Sequence, residues 1–224
     1  MTRNRLRLGA IAGLITAGLL ALTAAPAAPP ADAHGVGHGA IAARAAFHDA
    51  MRQLWEDHIV WTRQFIVSAA TESDNLADIG PTTDRLLANQ TDIGNALKPF
   101  YGDAAGDAVT ALLRDHILTA ADLIFAAKAG AADAAAAASA AWYANADDIA
   151  TALNALNPEH WPLDEMKAHM KDHLDLTLAA AVARLEGRYP DDIAAYDEVH
   201  VQILAMADML SDGIIAQFPA RFAR

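Results

Sequence analysis

The sequence predicts an all-α protein, a six-helix bundle built from three αα-hairpin repeats of about 57 residues each. Three observations predict it. Apolar residues recur at helical spacing, and no segment alternates with the period of two that a half-buried strand requires. Glycine and proline cluster where these helical segments stop. The dipeptide Asp-His recurs three times at nearly constant spacing, which is typical of a repeated supersecondary unit.

The N-terminal segment, residues 1–33, has the pattern of a secretory signal peptide. It begins with three arginines, continues with an apolar run over residues 8–22, and ends in a small-x-small pattern at residues 31–33. Cleavage before His34 is expected, and cleavage after Ala27 is the alternative. The predicted location is therefore outside the cytoplasm, either secreted or in the cell envelope.

A Gly/His-rich tail, residues 34–43, is predicted to be flexible and to precede a single helical-bundle domain, residues 44–224. Cleavage before His34 would place its α-amino group beside its own imidazole, and together with His38 these nitrogens suit Cu²⁺. A tail with only opportunistic metal affinity is the alternative. The chain has no cysteine, so the folded domain has no disulfide and depends on its core.

The first three helices are predicted from their apolar spacing and from the residues that interrupt it. Gly80-Pro81 precedes the second helix, and Pro99 with Gly102 ends it. The third helix begins after Gly102 and leads into an alanine-rich stretch, and alanine is the strongest helix former. The predicted ranges are 41–71, 82–98 and 104–129.

The last three helices are separated by the same kinds of residue. Asn157-Pro158 divides the fourth helix from the fifth. Gly187 ends the fifth, and Pro190 begins the sixth at a position where proline is tolerated. The predicted ranges are 131–156, 163–187 and 190–217.

Two motifs divide these helices into hairpins. Helices one, three and five carry the Asp-His pairs, which are Asp57-His58, Asp115-His116 and Asp172-His173. Helices two and four share the pattern Ala-Asn-x-x-Asp-Ile-x-x-Ala-Leu, beginning at Ala88 and Ala144. Helix six fits this frame more loosely, with Asp197 in the place of the asparagine and His200 in the place of the aspartate. Three αα-hairpins packed into one bundle explain both motifs.

The repeated histidines are the main candidate site. Adjacent residues on a helix diverge by about 100°, so the apolar spacing places His58, His116 and His173 inside and their aspartates at the edge. In one interpretation the three imidazoles converge on a divalent ion, Zn or Cu, with His200 as a further ligand. The equivalent side chains of the partner helices would then orient the imidazoles: Asn89, Asp92, Asn145, Asp148 and Asp197.

In the other interpretation the same residues form a buried polar layer. Each histidine then bonds to Asn89, Asn145 or Asp197 of its own hairpin, because buried polar groups are normally hydrogen-bonded. Two function hypotheses follow. The first is a secreted protein that binds Zn or Cu, and the second is a non-enzymatic structural or interaction protein of the cell envelope.

A second metal candidate lies on the fifth helix. His169 with Met166 and Met170 shares a face with His173, and thioether sulfur favours Cu(I). The alternative is that these methionines fill gaps in the core, as methionine at helical spacing usually does.

The composition argues against several classes of protein. The formal net charge is −12, and removal of the predicted signal peptide makes the remainder more acidic, so nucleic acid is not an expected partner. No later stretch has the ~20 apolar residues of a membrane span, so no membrane insertion is expected after signal cleavage. The chain lacks the common nucleophile, phosphate-loop and zinc-protease motifs, so no enzyme is predicted. The sequence does not indicate a protein partner.

From Leu54 to Pro219 the chain resembles an uncharacterised family of exported bacterial all-helical proteins. The segments that carry the resemblance are residues 54–58, 92–95, 98–102, 142–147 and 206–208. The resemblance implies an exported helical protein, and it brings no established activity.

Overall fold

Six α-helices make up most of the part of the chain that the structure describes, as the sequence predicts. The computed structural model describes residues 32–71 and 76–223, and within these ranges it contains helices and turns and no strand. The helices are α1 (Asp32–Ala69), α2 (Ile79–Tyr101), α3 (Asp103–Lys128), α4 (Ala132–Leu156), α5 (Leu163–Leu185) and α6 (Tyr189–Gln217). A short 3₁₀ turn, Pro219–Phe222, follows α6. The prediction of an all-α helical bundle is confirmed.

The largest boundary difference is at the start of α1. Residues 34–43, predicted as a flexible tail, are helical and continue α1 outward from the bundle. The alanines that follow them favour helix strongly enough to carry the glycines of this segment into it. The predicted signal peptide, residues 1–33, lies outside the described residues except for its last two positions, and it stays a prediction.

The turns follow the predicted helix breakers closely. Gly102 (φ 85°) joins α2 to α3, and Gly187 (φ 71°) joins α5 to α6, in the left-handed backbone region that glycine adopts most readily. Pro99 does not end α2, which continues to Tyr101. A proline so close to the end of a helix removes only one backbone hydrogen bond, and the Gly102 N–H still bonds to the Lys98 carbonyl.

The helices form a closed ring. Each helix packs against the next one along the chain, and α6 packs back against α1. Helix α1 also contacts α3 and α5 across the ring, so the three odd-numbered helices lie nearest its axis. The packing brings α2 and α3 very close where Gly94 faces Gly106, since a Cβ added at Gly94 would lie 2.6 Å from the Gly106 carbonyl oxygen.

The core consists of two hydrophobic clusters. The larger one includes Trp55, Leu113 and Met170, and the smaller one includes Phe65 and Ile124. Along each odd-numbered helix, the repeated histidine falls between residues of the larger cluster and residues of the smaller one. The fold therefore places the candidate site inside the bundle, at the junction of two apolar regions.

Helix α6 is the one described helix whose length and mean hydropathy would suit a membrane span. Its apolar side chains supply much of the core, with Ile203 and Ile214 fully buried. Helix α6 packs against both α5 and α1, which accounts for its apolar composition, because a helix that buries a wide face must be apolar over most of its surface.

A buried carboxylate ties α6 to two other helices. Asp192 is fully buried and receives both terminal nitrogens of Arg63 from α1, the Nη2–Oδ2 bond measuring 2.7 Å. Arg184 of α5 lies 3.5 Å away on the same carboxylate. The Arg63 guanidinium also lies over the Tyr196 ring, 5.3 Å from its centroid. We call this group the Asp192 centre.

Candidate functional site

The three repeated histidines converge inside the ring. His58, His116 and His173 are each at most 3% exposed, which confirms that they face the interior. The ring centroid of His173 lies 5.6 Å from that of His58 and 6.4 Å from that of His116. We call these three residues the histidine layer. Their neighbouring aspartates lie at the surface, as the helix geometry predicts.

Between α3 and α4, an asparagine of α4 holds the histidine of α3. Asn145 Nδ2 donates to the Leu112 carbonyl, 3.1 Å away, which turns the amide oxygen toward His116. That oxygen accepts a hydrogen bond of 2.9 Å from His116 Nδ1, so Nδ1 carries the proton. The Trp142 indole N–H, which can only donate, bonds to His116 Nε2 at 3.2 Å. Both nitrogens of His116 are therefore occupied.

Between α5 and α6, a glutamine makes the same two kinds of contact. Gln202 Nε2 donates to the His169 carbonyl at 3.0 Å, and Gln202 Oε1 accepts from His173 Nδ1 at 3.2 Å. In both pairs of helices the carbonyl belongs to the residue four positions before the histidine. His173 therefore also carries its proton on Nδ1, and its Nε2 keeps a lone pair.

The contacts between α1 and α2 depart from this arrangement. Asn89 Nδ2 still donates to the carbonyl four residues before the histidine, that of Leu54, at 3.0 Å. Gln90 lies between Asn89 and the imidazole, with its Nε2 3.1 Å from Asn89 Oδ1 and 3.2 Å from His58 Nδ1. The same nitrogen lies 2.8 Å from the Leu86 carbonyl oxygen. Because two of its three neighbours are oxygens that only accept, the atom facing them is the amide NH₂.

The histidine layer is uncharged at neutral pH. Burial lowers the pKa of His116 to about 3 and that of His173 to about 4. The pKa of His58 lies well below its usual value of 6.5, first because of burial and then because of repulsion from the other two imidazoles when they are charged. Burial opposes the charged form of a base, and no acidic group lies within the layer to offset it.

A small cavity adjoins the layer on one side. Its volume is about 30 Å³, and all three histidines line it together with Thr62 and Thr177. The remaining lining is apolar: Phe65, Ile66, Leu86, Ile117, Ala120, Leu123, Ile124, Trp142, Leu178 and Ala181. The Thr62 hydroxyl donates to the His58 carbonyl at 2.8 Å, whereas the buried Thr177 hydroxyl has no hydrogen-bond partner within the described ranges.

Four other predicted site residues lie away from the histidine layer. His200 is about half exposed, and its Nε2 lies 2.9 Å from Glu56 at the surface. Asp92, Asp148 and Asp197 are also exposed, and Asp92 lies 3.8 Å from Arg85. A step of three residues turns a helix position by about 60°, so residues three positions beyond the inward-facing amides point outward. The predicted partnership of Asp197 with His173 is wrong, because Gln202 occupies that place.

Sequence reasoning missed Gln202, Gln90 and the hydrogen bond of Trp142. The signal for Gln202 is a spacing, since it lies 29 residues after His173 and Asn145 lies 29 residues after His116. The motif of helices two and four instead matches helix six at Asp197, which lies five residues before Gln202. Gln90 lies 32 residues after its histidine, and no repeated spacing indicates it.

The predicted copper cluster is divided between core and surface. Met166 and Met170 are buried in the larger hydrophobic cluster, while His169 is half-buried and contributes its backbone carbonyl to Gln202. Across residues 32–71 and 76–223, no group of three or more His, Asp or Glu side chains is arranged to hold a metal ion. In the histidine layer, His173 bonds through Nδ1, and no described residue donates a hydrogen bond to the lone pair of its Nε2.

A serine, a histidine and an aspartate also meet between α1 and α6. Ser211 Oγ lies 2.6 Å from His48 Nδ1, and His48 Nε2 lies 3.2 Å from Asp212 Oδ1. Ser211 is fully buried, and its hydroxyl also bonds to the Ala207 carbonyl of its own helix at 2.8 Å. Because Ser211 is fully buried, a substrate cannot reach its hydroxyl as it would have to reach a nucleophile. The group instead links α1 to α6.

Comparisons with protein-family models, with curated proteins and with solved structures found no match to this chain.

Proposed function

We propose that the chain consists of three αα-hairpin repeats, α1–α2, α3–α4 and α5–α6, within a single domain over residues 44–224. Each hairpin has a buried histidine on its first helix and an amide side chain on its second. In each, an amide also donates to the carbonyl four residues before the histidine: Asn89 to Leu54, Asn145 to Leu112 and Gln202 to His169. This shared contact supports the repeat better than the short dipeptide does.

We further propose that the protein is a non-enzymatic structural or interaction protein of the cell envelope, in which the histidine layer holds the hairpins in register. The observation that carries this proposal is that each imidazole is hydrogen-bonded through Nδ1 to an amide of its own hairpin. A neutral imidazole and an amide satisfy each other without leaving a buried charge, and a displaced helix would leave both unsatisfied. The location rests on the signal-peptide pattern of residues 1–33.

Binding of Zn or Cu is the second candidate function. It is favoured by one observation, that three neutral imidazoles line one cavity, with an amide oxygen behind Nδ1 of His116 and of His173. Metal-bound histidines are commonly oriented in this way. Binding of one ion by the three Nε2 atoms would require Trp142 to release His116 Nε2. It would also require His58, whose Nδ1 faces the NH₂ of Gln90, to lose the proton from Nε2. These two requirements rank this function second.

Thermal denaturation of the full chain, with chelator and then with one equivalent of Zn²⁺ or Cu²⁺, separates the two functions. The polar layer predicts the same Tm in all three conditions, and a lower Tm in the double variant His58→Ala, His116→Ala whether or not metal is present. A rise in Tm with one ion that disappears in the double variant would instead establish metal binding. His200→Ala is the matched control, since this exposed histidine lies outside the layer and should change neither result.

A further inference from the structure

The histidine layer is not symmetric in its protons. The Gln90 NH₂ shares its two hydrogens among the Leu86 carbonyl, Asn89 Oδ1 and His58 Nδ1, and its nitrogen cannot accept a hydrogen bond, so Nδ1 faces it with a lone pair. The His58 proton is therefore on Nε2. In His116 and His173 the proton is on Nδ1, which donates to an amide oxygen. Gln90, the residue inserted in the first hairpin, sets the opposite tautomer of His58.

This difference leaves a donor on one imidazole and an acceptor on another. The Nε2–H of His58 and the Nε2 lone pair of His173 belong to rings whose centroids are 5.6 Å apart, and both rings line the cavity. The Thr177 hydroxyl, on the same cavity wall, has no partner among the described residues, although Thr177 is only 7% exposed. Three buried polar groups thus adjoin one small space.

We propose that this space is a binding site for one water molecule, held by His58, His173 and Thr177. The water oxygen accepts from His58 Nε2–H, one of its hydrogens is donated to His173 Nε2, and Thr177 Oγ1 forms the third hydrogen bond. Two hydrogen bonds of about 2.9 Å through one oxygen are compatible with ring centroids 5.6 Å apart. Buried waters typically make about three hydrogen bonds to groups that are otherwise unsatisfied.

The size and chemistry of the cavity select this ligand. A volume of about 30 Å³ accommodates a water molecule, whose share of the volume of liquid water is about the same. An anion would meet a lone pair at His173, and a cation would meet the N–H of His58. A neutral molecule that both accepts and donates suits these groups. The site goes beyond the proposed envelope role and does not depend on it.

Nuclear magnetic resonance of the ¹⁵N-labelled full chain at neutral pH tests the proposal. Long-range ¹H–¹⁵N correlation is expected to give the Nε2–H tautomer for His58 and the Nδ1–H tautomer for His116 and His173. Cross-relaxation experiments are expected to show a long-lived water next to the His58 and His173 ring protons. An Nδ1–H tautomer at His58, or no long-lived water beside these two rings, would overturn the proposal.

Two valine variants provide the matched comparison. Thr177→Val keeps the side-chain shape and removes the unpartnered hydroxyl, so the water signal should weaken or disappear. Thr62→Val makes the same change on α1, where the hydroxyl already bonds to its own helix, so the signal should remain. Equal signals in both variants would exclude Thr177 from the site and overturn the proposal as stated. Chemical-shift spectra of each variant verify that the bundle is folded.

Discussion

Two polar regions are buried in this bundle, and they avoid the cost of burial in different ways. The histidine layer contains three bases whose pKa values fall far enough for them to be neutral, and an amide contacts Nδ1 of each one. The Asp192 centre pairs a fully buried carboxylate with Arg63 and Arg184. The first region is therefore sensitive to added protons, whereas the second is sensitive to the loss of a partner.

Acid should give the largest effect, through the histidine layer. Unfolded histidine titrates near pH 6.5, whereas the folded pKa is about 3 for His116 and about 4 for His173. Between these values the unfolded state binds more protons, so stability rises with pH and is complete above about pH 7. As the pH falls from about 6.5 toward 4, each histidine should remove up to about 1.4 kcal/mol per pH unit. Urea unfolding at a series of pH values measures this slope.

The slope can be assigned to the layer by substitution. His116→Phe should reduce the pH slope by about the contribution of one histidine, whereas His200→Ala, at the surface, should leave it unchanged. Stability that does not change between about pH 7 and 5 would show that the layer is not buried in its neutral form.

Truncation of the Asp192 centre should give the next largest effect. Asp192→Ala leaves the largely buried Arg63 guanidinium without its carboxylate, and breaking a buried ion pair in this way costs about 3–5 kcal/mol. Arg63 and Arg184 are partly solvated, at 15% and 26% exposure, so the lower end of this range is expected. Chemical denaturation at neutral pH provides the measurement.

The adjacent residue provides the control for this variant. Asp191 is exposed and pairs with Arg188 at the surface, so Asp191→Ala should have a far smaller effect. If the two variants were equally stable, the Asp192 centre would not differ from an ordinary surface pair.

Removal of an amide from the layer should have an intermediate effect. Asn145→Leu leaves His116 Nδ1–H without a partner and removes the second donor to the Leu112 carbonyl, and Gln202→Met does the same to His173 Nδ1–H and the His169 carbonyl. Each variant should lower the free energy of unfolding by about 1–3 kcal/mol. Denaturant unfolding measures both, with the exposed Asp148→Ala as control. A large loss in one variant and none in the other would contradict the equivalence of the second and third hairpins.

The smallest loss is expected at Gln90. The buried Gln90 Oε1 has no hydrogen-bond partner within the described chain, so Gln90→Leu also removes an unsatisfied acceptor. Asn89 Oδ1 then becomes available to His58, as the corresponding oxygens of Asn145 and Gln202 are in the other hairpins. We expect a loss below about 1 kcal/mol, less than for Asn145→Leu. Unfolding curves of these two variants, measured side by side, test the order.

The sequence predicted the parts of this molecule that depend on local chemistry. Helix positions follow from apolar spacing and from breakers such as Gly102 and Gly187, and the burial of the histidines follows from their place on the apolar faces. These features are decided within a few turns of one helix. The start of α1 was missed because the alanines beyond residues 34–43 carry a weakly helical segment with them.

The partners of the histidines depend on the register between helices, which the sequence specifies only indirectly. Asn145 was predicted from its repeated motif, whereas Gln202 replaces it with a longer side chain in a different local motif. Gln90 breaks the symmetry within one hairpin, so no comparison between the hairpins reveals it. The Asp192 centre joins residues 129 positions apart, and no local pattern indicates such a pair.

The closure of the ring by its first and last helices has a consequence for biosynthesis. Arg52 of α1 binds Asp208 of α6 through two bonds of 2.6 Å, and the Phe47 and Phe222 rings lie 5.2 Å apart. These partners are separated by most of the domain, so the first helix emerges from the ribosome long before its neighbour exists. Until α6 arrives, one apolar face of α1 is uncovered. That face is where the incomplete chain would associate with other chains.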